Sequence, residues 1–149
     1  MRCLEEITHV KAAPREVWRF LVNMADQYQQ WHPDHESAAW ISGPPNHVGS
    51  VMKAVETVGG HREELIFELV DFEPEHLYRY RIGRSVGMVL PGGSFVVDPD
   101  EGGGCRLTAR IQYRFGRVAE TLFSSRLAAL RAHMAEEGGN LKRLVEAGT

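Results

Sequence analysis

Residues 8–33, with the sequence THVKAAPREVWRFLVNMADQYQQWHP, decide the fold. A strand is predicted over Cys3–Lys11, and Pro14 suits the first turn of the helix that follows it. Apolar side chains in that helix recur at helical spacing, at Val17, Trp18, Leu21 and Val22. A second short helix is predicted over Met24–Gln30. It ends at Trp31-His32-Pro33, because the residue before a proline avoids the helical region.

The middle of the chain is predicted to form an antiparallel meander. Turn-forming residues, such as Gly43-Pro44-Pro45-Asn46 and Gly59-Gly60, separate its apolar stretches. The connections are too short for the helical crossovers that a parallel sheet needs. The six predicted strands are Glu36–Ile41, Ser50–Val58, Glu63–Phe72, Leu77–Ile82, Gly93–Asp98 and Arg106–Tyr113.

The last segment, Val118–Ala147, is predicted to be one long amphipathic helix. Its apolar stripe, at spacings of three and four residues, consists of Leu122, Leu127, Leu130, Met134, Leu141, Leu144 and Val145. Gly138-Gly139 lies inside the helix and should weaken it by about 1 kcal/mol per glycine relative to alanine. We therefore expect an α+β fold in which a seven-stranded, curved antiparallel sheet wraps on this helix and leaves a cavity between them.

Length and composition limit the classes of function. The 149 residues fit one domain, 1–149, and a net charge of −3 argues against binding to nucleic acid or to an anionic membrane. The N-terminus has carboxylates where a signal peptide would be apolar, so we expect a cytoplasmic protein with Cys3 and Cys105 reduced. No G-x-G-x-x-G, Walker-type loop or G-x-S-x-G is present, which argues against the common nucleotide sites and the serine-hydrolase elbow.

One predicted strand places a carboxylate on an apolar face. Alternation along Ser50–Val58 puts four residues on that face, Met52, Ala54, Glu56 and Val58. If the face points inward, Glu56 needs a cation, a partner or a proton, because an unpaired buried carboxylate is costly. The alternative is a glutamate at a strand edge or strand end that faces solvent.

The long helix carries a polar pair inside its apolar stripe. His133 and Glu137 are four residues apart and therefore share a face with Leu130 and Met134. An imidazole and a carboxylate at this spacing can chelate one divalent ion from a rigid helix. The alternative is an exposed pair at the edge of the stripe, and the neighbouring Glu136 could exchange roles with Glu137.

Two more imidazoles, His32 and His35, lie in the segment Trp31-His32-Pro33-Asp34-His35. On a turn fixed by proline, one can point inward while the other supports it from outside. The alternative is that Trp31 and Pro33 close the rim of the core and both histidines are exposed. Together, loop, strand and helix supply a His/Glu donor set that suits zinc, although manganese, iron and nickel accept the same donors.

The whole chain resembles the START/Bet v 1-like superfamily (SRPBCC, polyketide cyclase/dehydrase). The resemblance rests on the order of elements, on the helix start Ala13-Pro14-Arg15-Glu16-Val17-Trp18 and on Trp31 after the second helix. It implies a helix-grip fold with two short helices after the first strand. It also implies a hydrophobic cavity, since members include polyketide cyclases, aromatase/cyclases and lipid-transfer proteins.

Within that superfamily the chain is similar to the diacetylphloroglucinol hydrolase and phloretin hydrolase group, although it is much shorter. The similarity rests on Trp31–His35, Val55–Gly60 and His133–Leu141. That group binds zinc through two His and two Glu. The resemblance therefore implies as ligands Glu56, His133, Glu137 and one histidine of the Trp-His-Pro loop, for which His32 is preferred. His35 remains open as that ligand because the loop looks one residue shorter than in the group, and Glu63 and Glu64 remain alternatives to Glu56.

The resemblance implies a zinc-dependent hydrolase that cleaves the carbon–carbon bond between an acyl group and a phenolic ring. His35, Tyr28 and Tyr113, with Tyr80 as a further candidate, are expected to orient the phenol and move protons. The alternative is a metal-free protein that binds a small hydrophobic ligand, or a polyketide cyclase/aromatase. A third possibility is an interaction module with an exposed apolar patch. The expected partner is a small aromatic or polyketide-like molecule, without nucleic acid or membrane, and the chain is expected to be a monomer or homodimer.

Overall fold

Seven strands form one antiparallel sheet in the structure, a computed structural model that describes residues 2–148. The strand order is β1-β7-β6-β5-β4-β3-β2, so β1 pairs with the last strand while the other six follow the chain as a meander. The strands are β1 Arg2–Val10, β2 His35–Ser42, β3 Val51–Val58, β4 His61–Glu73, β5 Leu77–Ile82, β6 Gly92–Pro99 and β7 Cys105–Tyr113. The predicted sheet is confirmed.

Five helices accompany the sheet within the described residues. They are α1 Pro14–Val22, α2 Met24–Trp31, α3 Val86–Val89, α4 Arg117–Leu122 and α5 Ser124–Glu146. The two short helices after β1 and the long C-terminal helix are confirmed, and the fold is the helix-grip fold. No helix in the described part of the chain is long and apolar enough to span a bilayer.

The prediction of one continuous helix over Val118–Ala147 is wrong at Phe123. This residue leaves the helical conformation (φ −102°, ψ 17°) and separates α4 from α5. Its ring lies 5.9 Å from that of Phe115, and the two serines that follow it have low helix propensity. A tertiary contact and a weak local preference therefore act together to break the helix. The four-residue α3 is too short to show helical periodicity.

The sheet curves around α5 where its strand pairing is irregular. The register shifts between His35 and Ser37, between Trp40 and Ser42, and between Leu69 and Asp71. Such irregularities bend a sheet and increase its twist. The concave side packs its apolar side chains against α1, α2 and α5. The first shift directly follows His35, which places that side chain inside the curved sheet, where it is only 4% exposed.

Candidate metal centre

Four side chains from three elements meet inside the curved sheet and form what we call the His/Glu cluster. His35 begins β2, Glu56 lies directly opposite it on β3, and His133 and Glu137 lie one turn apart on α5. One donor atom from each residue lies within 4.8 Å of the donors of the other three. Glu56 therefore points inward, and His133 and Glu137 share one face of α5, as the sequence predicts.

Five of the six distances between these donors lie near those of a tetrahedral site. His35 Nε2 lies 3.3 Å from His133 Nε2, 3.4 Å from Glu56 Oε2 and 2.9 Å from Glu137 Oε2. His133 Nε2 lies 3.7 Å from Glu56 Oε2 and 3.6 Å from Glu137 Oε2. Four ligands at zinc-to-ligand distances of about 2.0–2.1 Å define a tetrahedron with edges of about 3.3–3.4 Å, and these distances bracket that value. Two imidazoles and two carboxylates are also a suitable donor set for zinc.

The orientation of His35 suits a metal ligand. Its Nδ1 lies 2.9 Å from the main-chain carbonyl oxygen of Tyr28, so Nδ1–H donates to that oxygen and Nε2 faces the cluster. The imidazole and the phenol ring of Tyr28 are stacked, with centroids 3.8 Å apart. A hydrogen bond from the remote ring nitrogen is the usual way in which proteins fix a metal-binding imidazole.

Glu56 is oriented by the side chain of the same tyrosine. The Tyr28 hydroxyl donates a hydrogen bond of 2.5 Å to Glu56 Oε2. Burial of the phenol, with the negative charges of Glu56 and Glu137 nearby, raises the pKa of Tyr28 far above its usual range. The hydroxyl therefore keeps its proton and stays a donor.

His133 and Glu137 form a buried ion pair when no other cation is near. Burial lowers the pKa of His133, but hydrogen bonds and charges from Glu137 and Glu56 outweigh it and raise the pKa to about 10. Burial raises the pKa of Glu137, but hydrogen bonds and charges from His133 and His35 outweigh it and lower the pKa to about 2. The cluster thus holds a proton between two carboxylates, and a divalent cation can take the place of that proton.

His32, the preferred ligand in the sequence analysis, has both ring nitrogens engaged outside the cluster. Its Nδ1 accepts a hydrogen bond of 2.9 Å from the main-chain N–H of Asp34, and its Nε2 donates to Glu136 Oε2 at 2.6 Å. Its ring lies against that of His133, with centroids 4.2 Å apart. The structure thus brings His35, rather than His32, to the carboxylates. Pro33 and Asp34 turn the chain so that the later of the two histidines starts β2 beside Glu56.

The alternative carboxylates point elsewhere. Glu63 lies opposite Glu56 in the sheet, but its oxygen is 3.7 Å from the guanidinium of Arg126. Glu64 is 3.8 Å from the Lys53 ammonium. Glu136 is 61% exposed and binds His32. Glu63 and Glu64 therefore pair with basic side chains, and Glu136 pairs with His32, all outside the His/Glu cluster.

Tyr113 is placed away from the cluster. It is packed with Leu4 and Met134 in a second apolar cluster and is not among the described residues that line the cavity. Its strand position was predicted correctly, but alternation along one strand does not show which end of the core a side chain reaches. Tyr80 does line the cavity, and burial raises the pKa of its phenol above the usual range.

A cavity of about 110 Å³ lies between the sheet and α5. Three members of the His/Glu cluster line it: Glu56, His133 and Glu137. Its aromatic lining includes Trp31, Trp40, Phe67, Tyr78, Tyr80 and Phe95. An apolar chamber with a few convergent polar groups is typical of a small-molecule site, and this volume approaches the roughly 150 Å³ of a cavity that accepts one benzene ring.

Trp31 has a second role that sequence analysis did not identify. Its indole Nε1–H donates a hydrogen bond of 2.9 Å to the main-chain carbonyl oxygen of Glu137. This bond ties the end of α2 to the turn of α5 that carries a cluster carboxylate. The only signal in the sequence is the position of Trp31 immediately before the loop with the two histidines.

Residues 1–146 match the model of a family described as polyketide cyclase / dehydrase and lipid transport. No curated protein shows significant sequence similarity to the chain. The Zhui aromatase/cyclase from Streptomyces sp. R1128 has a similar structure, with a TM-score of 0.78 at 16% identity over 97% of this chain and 93% of that one.

Two further structures show the same fold. The protein TTHA0849 from Thermus thermophilus has a TM-score of 0.77 at 15% identity, over 99% of both chains. Norcoclaurine synthase from Thalictrum flavum, in complex with dopamine and hydroxybenzaldehyde, has a TM-score of 0.77 at 13% identity, over 99% of this chain and 88% of that one. At these identities the similarity extends to the fold alone.

Proposed function

The chain belongs to the polyketide cyclase / dehydrase and lipid transport family, and we propose that it binds a small aromatic or polyketide-like ketone in its cavity and acts on it with a divalent metal. One observation carries the metal part of the proposal: four His and Glu donors lie within 4.8 Å of one another beside the cavity. The proposed ligands are His35, Glu56, His133 and Glu137, and the proposed metal is zinc.

The donor set determines the chemistry that the metal supplies. A divalent cation held by these four residues would polarise a carbonyl oxygen, or lower the pKa of a water molecule towards about 7, on taking that oxygen as a fifth ligand. The apolar lining excludes other water, which strengthens each charge interaction in the cavity.

The surrounding side chains orient the ketone. The Tyr80 phenol lines the cavity with a raised pKa, so it donates a hydrogen bond to an oxygen of the bound molecule rather than carrying a charge. The Tyr28 hydroxyl is occupied by Glu56 at 2.5 Å, which keeps that carboxylate in place. The aromatic walls, including Trp40 and Phe95, contact the ring of the ligand.

The proposed reaction is hydrolysis of an aryl ketone. Water adds to the acyl carbon, the bond between the acyl carbon and the ring carbon breaks, and the ring carbon takes up a proton. The products are a carboxylic acid and a phenol, so the atoms of one water molecule are fully used. The resemblance of the segments around His35, Glu56 and His133 to the zinc-dependent phloroglucinol-type hydrolases supports this choice.

A metal-free polyketide cyclase/aromatase or binding protein is the second candidate. The family description and the Zhui aromatase/cyclase support it more directly than they support hydrolysis. Its structural support is that the cluster is also satisfied without a metal, because His133 pairs with Glu137 and Tyr28 pairs with Glu56.

Metal analysis combined with a turnover assay separates the two candidates. Protein purified without an immobilised-metal column should contain about one zinc per chain. It should convert a phenol acylated on a ring carbon into the free phenol and a carboxylic acid, and mass spectrometry detects both products. The Glu56→Gln variant should lose the metal and the activity. Glu63→Gln, a matched change on the opposite strand position, should keep both. Ligand binding without metal or turnover would establish the second candidate.

A further inference from the structure

Two short segments carry a concentration of exposed apolar side chains, and together we call them the lip: residues 83–91 around α3 and residues 114–123 around α4. The most exposed are Met88 at 73%, Val118 at 79% and Leu122 at 75%. Val89 and Phe123, at 46% and 45%, belong to the same segments. Protruding apolar groups of this kind mark a surface that contacts another apolar phase.

The two segments of the lip are joined to each other and to the cavity. The main-chain N–H of Arg114 donates a hydrogen bond of 2.8 Å to the carbonyl oxygen of Val89. Within the second segment, the rings of Phe115 and Phe123 lie 5.9 Å apart. Leu90, a residue of the lip, also lines the cavity. The lip is therefore one surface that borders the proposed ligand site.

The charge of the lip is opposite to that of the whole chain. The chain carries −3, yet the lip contains three arginines, Arg84, Arg114 and Arg117, against one glutamate, Glu120. Glu120 forms an ion pair with Arg2. None of the three arginines forms an ion pair with a carboxylate within residues 2–148. The lip thus carries three arginines without a carboxylate partner among residues 2–148, in the same two segments as its exposed apolar side chains.

We propose that the lip docks on the surface of an anionic lipid bilayer. Its protruding apolar side chains enter the boundary between headgroups and acyl chains, and its arginines bind lipid phosphates, as in interfacial amphipathic elements. A second copy of the chain fits less well, because a symmetric interface places the same three arginines on both sides. The cavity beside the lip is lined largely by apolar groups, so its ligand dissolves in lipid and can be taken up from the bilayer.

Co-sedimentation with vesicles tests this docking. The full chain should bind vesicles of phosphatidylglycerol and phosphatidylcholine, bind pure phosphatidylcholine much more weakly, and lose binding as salt rises. Met88→Ser combined with Leu122→Ser should lower the partition coefficient about tenfold or more. Arg84→Ser and Arg117→Ser should each lower it about fivefold.

Matched controls lie outside the lip. Val48→Ser and Ile41→Ser change apolar residues that are 62% and 54% exposed, and Arg79→Ser removes an arginine that is paired with Asp71. These variants should bind as the original chain does. Equal loss in the controls, equal binding to neutral vesicles, or no binding at all would overturn the proposal. A dimer in sedimentation velocity that Leu122→Ser dissociates would overturn it too, since the lip would then be an interface between copies. Circular dichroism melting curves confirm that each variant is folded.

Discussion

Tyr28 holds His35 in two ways at once. The phenol and imidazole rings stack 3.8 Å apart and only 11° from parallel, and the main-chain carbonyl oxygen of Tyr28 accepts the His35 Nδ1–H at 2.9 Å. Because the Tyr28 hydroxyl also binds Glu56, one residue of α2 orients two of the four donors of the His/Glu cluster. The short helix α2 is therefore part of the site as well as of the core.

Replacing His35 should affect metal binding far more than replacing His32. If a structural zinc contributes about 10–16 kcal/mol through four ligands, loss of one costs about 3 kcal/mol, or more than about 100-fold in affinity. We expect that loss in His35→Ala, measured by competition with a chromophoric zinc chelator. The matched variant His32→Ala keeps all four donors, so it should still bind one zinc and lose only the smaller part of the affinity that the His32–Glu136 contact contributes. The reverse order of affinities would show that His32 is the ligand.

The pair of His32 and Glu136 should act as a positioning contact. It ties the loop before β2 to α5, and thus holds His35 at a fixed distance from His133. Glu136→Ala should weaken zinc binding about 10- to 100-fold, the usual effect of losing a supporting contact. Glu136→Gln retains an oxygen that accepts the His32 proton, so it should restore most of the affinity. If the unchanged chain, Glu136→Ala and Glu136→Gln bind zinc with equal affinity, the contact between His32 and Glu136 has no positioning role.

Zinc binding should release about one proton per chain at pH 7. The metal-free cluster has a His133 pKa of about 10, so the imidazole is protonated there and must lose its proton to bind a metal. Zinc affinity should therefore rise about tenfold per pH unit from about pH 7 towards about pH 10. Calorimetry in two buffers of different ionisation enthalpy measures the released proton. Identical heats in both buffers would contradict the proposed ion pair.

The same shifts affect the stability of the metal-free protein. The raised pKa of His133 adds stability that is complete below pH 6.5 and is lost as pH rises through about 10. The lowered pKa of Glu137 adds stability that is present above pH 4.5 and is lost as pH falls through about 2. Thermal melting of the chelator-treated protein should show a maximum between these limits. A melting temperature that does not change from about pH 7 to about pH 10 would argue against the His133 shift.

The two adjacent glycines of α5 should respond in opposite ways to alanine. A Cβ on Gly138 would lie 2.3 Å from Thr8 Oγ1 on β1, whereas a Cβ on Gly139 meets nothing within 4 Å. Gly139→Ala should stabilise the protein by up to about 1 kcal/mol through helix propensity. Gly138→Ala should destabilise it by about 1–2 kcal/mol, because overcrowding outweighs the same gain. Urea denaturation measures the change in unfolding free energy of both variants. Adding Thr8→Ala to Gly138→Ala should relieve the crowding and restore part of the lost stability. Equal effects would mean that α5 does not pack closely on β1.

Local chemistry explains why so much of the fold can be predicted from the sequence. Glycine and proline turns bound most strands, so predicted and observed strand ends differ by at most two residues, as in Glu63–Phe72 against His61–Glu73. The break at Phe123 escapes prediction because it depends on contact with Phe115, which no local rule describes. The lip escapes because a net charge of −3 conceals its three arginines and because its two segments meet only in the folded chain.

The site could be predicted in part. Alternation in β3 and the four-residue spacing in α5 are enough to single out Glu56, His133 and Glu137, since both patterns put polar groups on apolar faces. The choice between His32 and His35 depends on the path of a turn and on a partner, Glu136, that lies 104 residues after His32 in the chain. Neither is visible in a local pattern, which is why sequence analysis prefers His32 while the structure places His35 beside the two carboxylates.

Anomalous scattering at the zinc edge, from crystals grown with one equivalent of zinc, tests the central claim most directly. The account predicts a single strong peak among His35 Nε2, His133 Nε2, Glu56 Oε2 and Glu137 Oε2, at about 2.0–2.2 Å from each. A zinc ion bound at His32 or at the surface, with the His133–Glu137 pair intact and no peak in the cluster, would contradict it.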